Sequence, residues 1–130
     1  MKKINTVAVI DDDEVFQLIV KKQIEIKDLA SNILKFYNGE EAFTYLQENA
    51  QNKDNLPDLI MLDVNMPIKD GWEFLEDYRN LDQDVRRSIS LYMVTSSVIQ
   101  SDIDKAKQDE NIVDFVSKPI TNEKLEELFQ

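Results

Sequence analysis

Short apolar runs recur along the chain and are separated by amphipathic stretches. Four runs are short and predominantly apolar, as in strands that are buried on both faces, and they cover residues 7–10, 59–62, 91–94 and 112–116. A fifth run, at residues 32–37, is weaker. Strands of this kind belong in a parallel sheet whose two faces are covered by helices.

The stretches between these runs carry apolar residues at helical spacing, in segments that cover 16–24, 42–46, 72–81, 99–106 and 125–129. Asn38, followed three residues later by Glu41, is typical of a helix start, and Thr121 is a candidate cap for the last helix. Strict alternation of strand and helix predicts an α/β fold of five β-α units. Right-handed crossovers then place helices on both faces of the sheet, which gives three layers.

Two stretches receive only a structural interpretation. Residues 51–56 are predicted to form a polar loop that ends at Pro57. Trp72, Phe74 and Tyr78 are interpreted as one helix face that packs on the sheet.

The composition is that of a globular chain, 42% hydrophobic and 32% charged over 130 residues, so we expect residues 1–130 to form one domain. Asp and Glu outnumber Lys and Arg by 26 to 15, which gives a formal charge of −11. Such a surface repels nucleic-acid phosphates and anionic lipid, so we expect neither as a direct partner. The apolar run that ends at Ile10 is too short for a signal peptide, and no stretch approaches membrane-spanning length. We therefore expect a cytoplasmic protein.

The chain contains no cysteine and no histidine. Thiol catalysis, disulfides and thiolate metal sites are thereby excluded. The chain also has no imidazole base and no phosphohistidine of its own.

Polar side chains follow four of the predicted strands, namely Asp11, Asp12 and Asp13; Asp63; Thr95, Ser96 and Ser97; and Lys118. In open α/β sheets ligands bind beyond the C-terminal ends of the strands, so we expect these groups to meet there. Two carboxylates about 4 Å apart repel by roughly 4 kcal/mol at an effective dielectric of ~20, and one lysine does not balance three of them. Oxygen ligands suit Mg²⁺, while a hydroxyl and an ammonium can hold phosphoryl oxygens. The set therefore predicts a Mg²⁺-dependent phosphoryl-transfer site.

Five motifs together resemble a known family: Val-Ile-Asp-Asp at 9–12, Pro-Asp-Leu-Ile-Met-Leu-Asp-Val-Asn-Met-Pro at 57–67, Gly71, Val-Thr at 94–95, and Phe-Val-Ser-Lys-Pro at 115–119. In their order and spacing they are similar to the receiver domains of response regulators in two-component signalling, over nearly the whole chain. The resemblance implies a flavodoxin-like parallel sheet with strand order 2-1-3-4-5. It also implies a phosphoacceptor that signals by a conformational switch, not an enzyme that turns over a substrate.

The resemblance assigns the acceptor and the metal ligands. Asp63 would accept the phosphoryl group from a phosphohistidine on a sensor histidine kinase or a histidine phosphotransfer protein. Asp12 and Asp63 would ligate Mg²⁺ directly, Asp11 through water, and Asn65 through its backbone carbonyl. Asp13 is a third consecutive acid that departs from the family pattern, and we expect its side chain to point away from the metal.

The resemblance also implies a switch. Lys118 would pair with the phosphoryl oxygens, and its bond to Pro119 would be cis. Thr95 would donate a hydrogen bond to the phosphoryl group, and Phe115 falls at the aromatic switch position of the family. A downstream protein would then bind the face formed by the fourth predicted helix, the fifth strand and the fifth predicted helix.

In the family, the positions two residues after the acceptor and two after the threonine tune the loss of the phosphoryl group. Here they hold Asn65 and Ser97, which are both small and polar. Such side chains should let an attacking water approach, so we predict a short-lived phosphoprotein.

Two other interpretations use the same residues. The run from Asp11 to Val15 also fits the D-x-D-x-[TV] pattern of haloacid-dehalogenase-like phosphatases, with Asp11 as nucleophile and Asp13 as acid/base. That family needs a second acidic cluster after the lysine, where only 12 residues remain, and it leaves Asp63 unexplained. A phosphorylation-independent pseudo-receiver usually lacks the acceptor, one of the acidic pair or the lysine, and all of these are present.

Overall fold

The sheet is described by a computed structural model that covers residues 4–96 and 99–130. Its five strands are β1 (Ile4–Ile10), β2 (Ala30–Phe36), β3 (Leu59–Leu62), β4 (Ser90–Thr95) and β5 (Ile112–Ser117). They pair in the order β2-β1-β3-β4-β5, and every pairing is parallel. The strand order implied by the family resemblance and the parallel sheet predicted from the apolar runs are both confirmed.

Within the described residues six α-helices follow the strands: α1 (Glu14–Lys27), α2 (Gly39–Glu48), α3 (Gly71–Tyr78), α4 (Gln83–Arg87), α5 (Gln100–Gln108) and α6 (Asn122–Leu128). The five predicted helical segments correspond to all of these except α4. The five predicted β-α units are therefore confirmed, and α4 is an additional helix that the sequence pattern did not predict. Helix α4 has five residues and one buried apolar side chain, Val85, which is too little to produce a helical pattern. The predicted polar loop at 51–56 contains a single 3₁₀ turn, Lys53–Asn55.

The predicted helix starts are confirmed by their hydrogen bonds. The Asn38 side chain accepts a bond from the Glu41 backbone N–H at 2.9 Å, and Glu41 Oε1 accepts one from the Tyr37 N–H at 3.0 Å. The Thr121 hydroxyl accepts from the Lys124 N–H at 3.1 Å. These bonds satisfy backbone donors that the first turn of a helix leaves free.

The sheet separates two apolar clusters because successive side chains of a strand point to opposite faces. Val7 and Val9 lie in the cluster covered by α1 and α6, whereas Ala8 and Ile10 lie in the cluster covered by the other helices. Helices therefore cover both faces, as predicted.

The helix face assigned to Trp72, Phe74 and Tyr78 is confirmed only in part. Phe74 and Tyr78 are fully buried in the cluster under the sheet. Trp72 is half-buried at its edge, and its Nε1–H donates to Asp102 Oδ1 on α5 at 3.0 Å. The Lys105 ammonium, also on α5, lies 5.3 Å from the centre of a Trp72 ring. Trp72 therefore joins α3 to α5 in addition to packing on the core.

Candidate functional site

The register of the sheet brings the polar strand ends together. Ile10 of β1 is aligned with Leu62 of β3, so the residues that follow them, Asp11 and Asp63, leave the sheet side by side. The Asp63 N–H donates to the Ile10 carbonyl at 3.0 Å, which fixes this arrangement. On the other side of β3, Thr95 is the last residue of β4, and its carbonyl accepts from the Lys118 N–H at 3.0 Å. Groups that are far apart in sequence thus meet at one edge, as predicted.

Three carboxylates form the centre of this edge. One oxygen each from Asp11, Asp12 and Asp63 lie within 4.8 Å of one another. Asp11 is 1% exposed and Asp63 is 6% exposed, whereas Asp12 is exposed to solvent. Two of the three acids are therefore almost removed from water, and the third gives access to them.

One ammonium contacts the two buried acids. Lys118 Nζ lies 2.6 Å from Asp11 Oδ2 and 3.2 Å from Asp63 Oδ2. Burial by itself lowers the pKa of Lys118, but the hydrogen bonds and charges of Asp11 and Asp63 together outweigh burial and raise it. The Lys118–Pro119 peptide bond is cis, as predicted. Within residues 4–96 and 99–130, one ammonium thus contacts two of the three clustered acids.

The Asp11 carboxyl is buried next to one other acid and one ammonium. Burial raises the pKa of its carboxyl to about 6, although the Lys118 ammonium and the Asp13 N–H favour the charged form. The Asp13 N–H donates to Asp11 Oδ1 at 2.9 Å, and the charge of nearby Asp63 raises the pKa further. Ionisation of Asp11 is therefore costly in the folded protein, and the three acids of the cluster face the ammonium of Lys118.

This donor set fits a divalent cation. Carboxylate oxygens are the ligands that hard cations prefer, and an uncompensated negative cluster with one exposed member is open to an ion from solvent. Asp11, Asp12 and Asp63 would hold the ion. Asn65, the predicted carbonyl ligand, lies in the exposed loop directly after β3, and its role stays a prediction.

Asp13 is oriented as predicted, away from the cluster. Its Oδ1 accepts hydrogen bonds from the backbone N–H groups of Val15 at 2.9 Å and Phe16 at 3.2 Å, so it caps α1. The phosphatase alternative needs the Asp13 carboxylate as an acid/base beside Asp11. Among the described residues, the group of acids that could hold a metal does not include Asp13.

Gly71 lets helix α3 begin close to the backbone of Asp63 and Val64. Its N–H donates to the Val64 carbonyl at 2.8 Å, and a Cβ at this position would lie 2.3 Å from the Asp63 carbonyl oxygen. No side chain fits there. In the loop between, Ile68 has a φ of 65°, which is rare for a β-branched residue, and the Lys69 N–H donates to the Pro67 carbonyl across it at 2.7 Å.

The two residues of the predicted switch lie on the same face of the sheet. Thr95 is fully buried, and side-chain alternation along β4 places it on the face of Met93. Met93 is aligned with Phe115 of β5, which is half-buried against the same core cluster. This placement is compatible with a shared movement, and the switch itself stays a prediction. Ser97, one of the two residues predicted to tune phosphoryl loss, lies outside the described residues.

Two residues of the site were missed from the sequence. The amide of Gln17, which is buried in α1, donates to the carbonyls of Val9, Asp11 and Phe36 at 3.0 Å each, so it binds the ends of β1 and β2. Its position three residues before Val20 on the buried helix face was an available signal. Phe16 is the first residue of the helical segment predicted at 16–24 and receives no further role from the sequence, yet its ring centre lies 4.3 Å from Lys118 Nζ.

The comparisons with known proteins agree with this geometry. A family model described as "Response regulator receiver domain" matches residues 7–130. The chain belongs to this family. As a receiver domain of two-component signalling it is a phosphoacceptor module of the kind that works with histidine kinases.

This receiver domain has relatives in several bacteria. It is 29% identical over 119 residues to the sensor histidine kinase CheAY of Helicobacter pylori. The matched residues make up 92% of this chain but only 14% of that kinase. The crystal structure of a two component response regulator from Cytophaga hutchinsonii is 27% identical, with a TM-score of 0.89 and coverage of 98% of this chain and 96% of the other. A response regulator receiver protein from Dyadobacter fermentans is 28% identical, with a TM-score of 0.79 and coverage of 95% and 97%. None of the helices in residues 4–96 and 99–130 is long and apolar enough to span a membrane.

Proposed function

We propose that this receiver domain accepts a phosphoryl group on Asp63, with Mg²⁺ held by Asp11, Asp12 and Asp63. The observation that carries the proposal is the position of the Asp63 carboxylate. It lies in the acidic cluster, and its Oδ2 is 3.2 Å from the Lys118 ammonium. Its other oxygen, Oδ1, accepts from the Val64 N–H at 2.7 Å, which fixes the direction of the carboxylate.

The proposed step is a transfer between two proteins, because the chain contains no histidine. A carboxylate oxygen of Asp63 attacks the phosphorus of a phosphohistidine on a sensor histidine kinase or a histidine phosphotransfer protein. The P–O bond forms, the P–N bond breaks, and the imidazole nitrogen leaves with the electron pair. Lys118 pairs with a phosphoryl oxygen, and the Thr95 hydroxyl donates to another.

The bound cation would neutralise the negative charge that the carboxylates and the phosphoryl oxygens bring together. The ligand set proposed for it is Asp12 and Asp63 directly, Asp11 through water, and the Asn65 carbonyl. Mg²⁺ is the preferred ion because it takes few carboxylates and keeps several waters. The exposed carboxylate of Asp12 and the buried one of Asp11 agree with this division of roles.

Helix α1 is proposed as part of the surface that receives the phosphodonor. It begins directly after the acidic strand end, and Val15, Leu18 and Ile19 on it are each more than half exposed. A partner helix that carries the phosphohistidine could cover these apolar side chains while its imidazole reaches Asp63. A cluster of exposed apolar residues beside a reactive group favours a protein partner over a small molecule.

The proposed readout face is α5, β5 and α6, which correspond to the fourth predicted helix, the fifth strand and the fifth predicted helix. A phosphoryl group offers the Thr95 hydroxyl a charge-assisted hydrogen bond of about 1.5–3 kcal/mol. A nearly complete population shift needs about 5.5 kcal/mol, so Lys118 and the cation must supply the remainder. Ile99 and Val113 are exposed apolar residues on this face, which supports its use by a downstream protein.

Several expectations from the sequence stay predictions. They are a carrier or switch instead of a turnover enzyme, a short phosphoryl lifetime set by Asn65 and Ser97, one domain over residues 1–130, and a cytoplasmic location. The strongly acidic composition, with a formal charge of −11, argues against direct nucleic-acid binding.

The proposal is tested by intact mass measurement after incubation with a small acyl phosphate. With Mg²⁺ the protein should gain the mass of one phosphoryl group, and with a chelator it should gain none. Asp63→Asn should stay unlabelled. Asp58→Asn, at the opposite end of β3, is the matched control and should be labelled like the wild type. Normal labelling of Asp63→Asn would refute the assignment.

A further inference from the structure

The environment of the Lys118 ammonium contains one group that carries no charge. Its Nζ lies 2.6 Å from Asp11 Oδ2, 3.2 Å from Asp63 Oδ2 and 4.3 Å from the centre of the Phe16 ring. A cation within about 6 Å of an aromatic ring centre is attracted by the negative face of the ring. The ammonium is therefore held from two directions, by the carboxylates and by the ring.

We propose that Phe16 is a positioning residue for Lys118, which keeps its ammonium at the acidic edge when other ligands compete for the carboxylates. The proposal rests on the proposed phosphoryl transfer to Asp63. It assigns to the first turn of α1 a part in the reaction beyond the capping bond of Asp13.

The Lys118 ammonium needs a second attractive contact because a bound ion would compete for the carboxylates. An ion bound by Asp11 and Asp63 would share the oxygens that Lys118 contacts, which weakens the attraction between the ammonium and these acids. The Phe16 ring does not bind a hard cation, which takes oxygen ligands. Its attraction for the ammonium therefore persists when the ion is present.

An aromatic ring is better suited to this purpose than a fourth acid. Another carboxylate beside Lys118 would add negative charge to a cluster that already holds three acids, and it would repel the incoming phosphoryl group. The ring attracts the ammonium without adding net charge. Its face contains no oxygen acceptor, so the N–H groups stay available to phosphoryl oxygens.

The backbone of Phe16 is fixed by hydrogen bonds that do not involve Lys118. Its backbone N–H donates to Asp13 Oδ1 at 3.2 Å, and the next residue, Gln17, binds the Asp11 carbonyl at 3.0 Å. Phe16 is half-buried and packs against the core cluster under α1 and α6. The Phe16 backbone is thus held by bonds that do not involve the lysine, and the core cluster gives the ring a contact besides the ammonium.

The placement is tested first by NMR of the free protein. If the face of the Phe16 ring lies next to the Lys118 side chain, the proton resonances of the Lys118 ε-carbon should be shifted upfield. This upfield shift should persist when Mg²⁺ is added. In Phe16→Leu the shift should disappear, and in Phe16→Tyr it should remain. Absence of the shift in the wild type, or its loss on addition of Mg²⁺, would overturn the proposal.

The effect on the reaction is tested by the rate of labelling with a small acyl phosphate. Phe16→Leu keeps an apolar side chain but removes the ring, and labelling should slow by roughly two- to thirtyfold, the range of one cation–π contact. Phe16→Tyr and Phe16→Trp should restore the rate. Phe43→Leu, a half-buried phenylalanine on α2, is the matched control for the loss of a ring and should label normally.

The outcomes separate the two proposals. A Phe16→Leu protein that labels at the wild-type rate would overturn the positioning role. So would a slow rate that Phe16→Tyr does not restore, because packing alone would then explain the effect. A wild type that takes no phosphoryl group would refute the proposed function, while the NMR measurement would still decide where the ammonium lies.

Discussion

Strand β3 has an aspartate at each end, and the two differ in what surrounds them. Before the strand, Asp58 Oδ2 accepts from the Thr6 N–H at 3.0 Å, and the Asp58 backbone binds Thr6 at 2.8 Å and Ser90 at 2.9 Å. After the strand, Asp63 shares its edge with two further acids and one ammonium. Among the described residues, the cluster that could hold a metal does not include Asp58.

Asp58 and Asp63 are the same residue type in two different roles. Asp58 stabilises the fold, whereas Asp63 is placed where a reaction could occur. Asp58 joins the beginnings of β1, β3 and β4 through neutral backbone groups, so its role ends with the hydrogen bonds it makes. Asp63 lies among like charges that its own fold does not balance. Unbalanced charge in a buried site is costly, and such sites are where function is found.

The largest expected difference between the two ends of the strand concerns the cation. Asp12→Ala should lower Mg²⁺ affinity by up to about 100-fold, because it removes an oxygen ligand and one of three negative charges. Asp58→Ala should leave the affinity unchanged. Isothermal titration of both variants measures this, and Asp11→Ala should fall between them. Equal affinity in the wild type and Asp12→Ala would contradict the ligand assignment.

A second effect is expected on stability without metal. Because burial raises the pKa of Asp11 to about 6, above the unfolded value of 3.8, the folded state binds a proton more tightly than the unfolded state. The stability contributed by Asp11 is therefore greatest below about pH 4 and is lost as the pH rises through about 6. Asp11→Asn keeps a neutral side chain, so its free energy of unfolding should exceed that of the wild type by about 3 kcal/mol at neutral pH.

Denaturant unfolding of both proteins across this pH range, with a chelator present, measures the difference. The difference in free energy of unfolding between Asp11→Asn and the wild type should disappear as the pH falls from about 6 to about 4. At neutral pH this difference should become smaller when Mg²⁺ is added. A gap that widens on acidification would show that Asp11 is stabilised as a carboxylate.

The smallest effect is expected at the other end of the strand. Asp58→Ala leaves the N–H of Thr6, which is buried, without its acceptor, and should lower the free energy of unfolding by about 1 kcal/mol. Asp58→Asn keeps an oxygen acceptor and should lose less. Denaturant unfolding of the two variants at neutral pH is the measurement. If either variant lost phosphoryl labelling, the purely structural role of Asp58 would be contradicted.

The sequence predicted the parts of this molecule that depend on periodic patterns. Apolar runs indicated the strands, and because Asp11 and Asp63 directly follow such runs, their meeting at one edge could be predicted as well. Helix α4 could not, since one buried residue in five carries no period. Strand register and helix orientation decide where Phe16 and Gln17 reach, and neither is readable from residue types alone. The double contact of Trp72, with the core and with α5, was missed for the same reason.

We propose that the cluster accepts a phosphoryl group at the C-terminal end of β3 and at no other carboxylate. Borohydride reduces an aspartyl phosphate to homoserine, so the residue that carried the phosphoryl group can be identified by peptide mass spectrometry. After labelling with a small acyl phosphate and Mg²⁺, homoserine should be found at Asp63 and at no other aspartate. Homoserine at Asp11 would instead support the phosphatase-like alternative and would contradict the assignment of Asp63 as the phosphoacceptor.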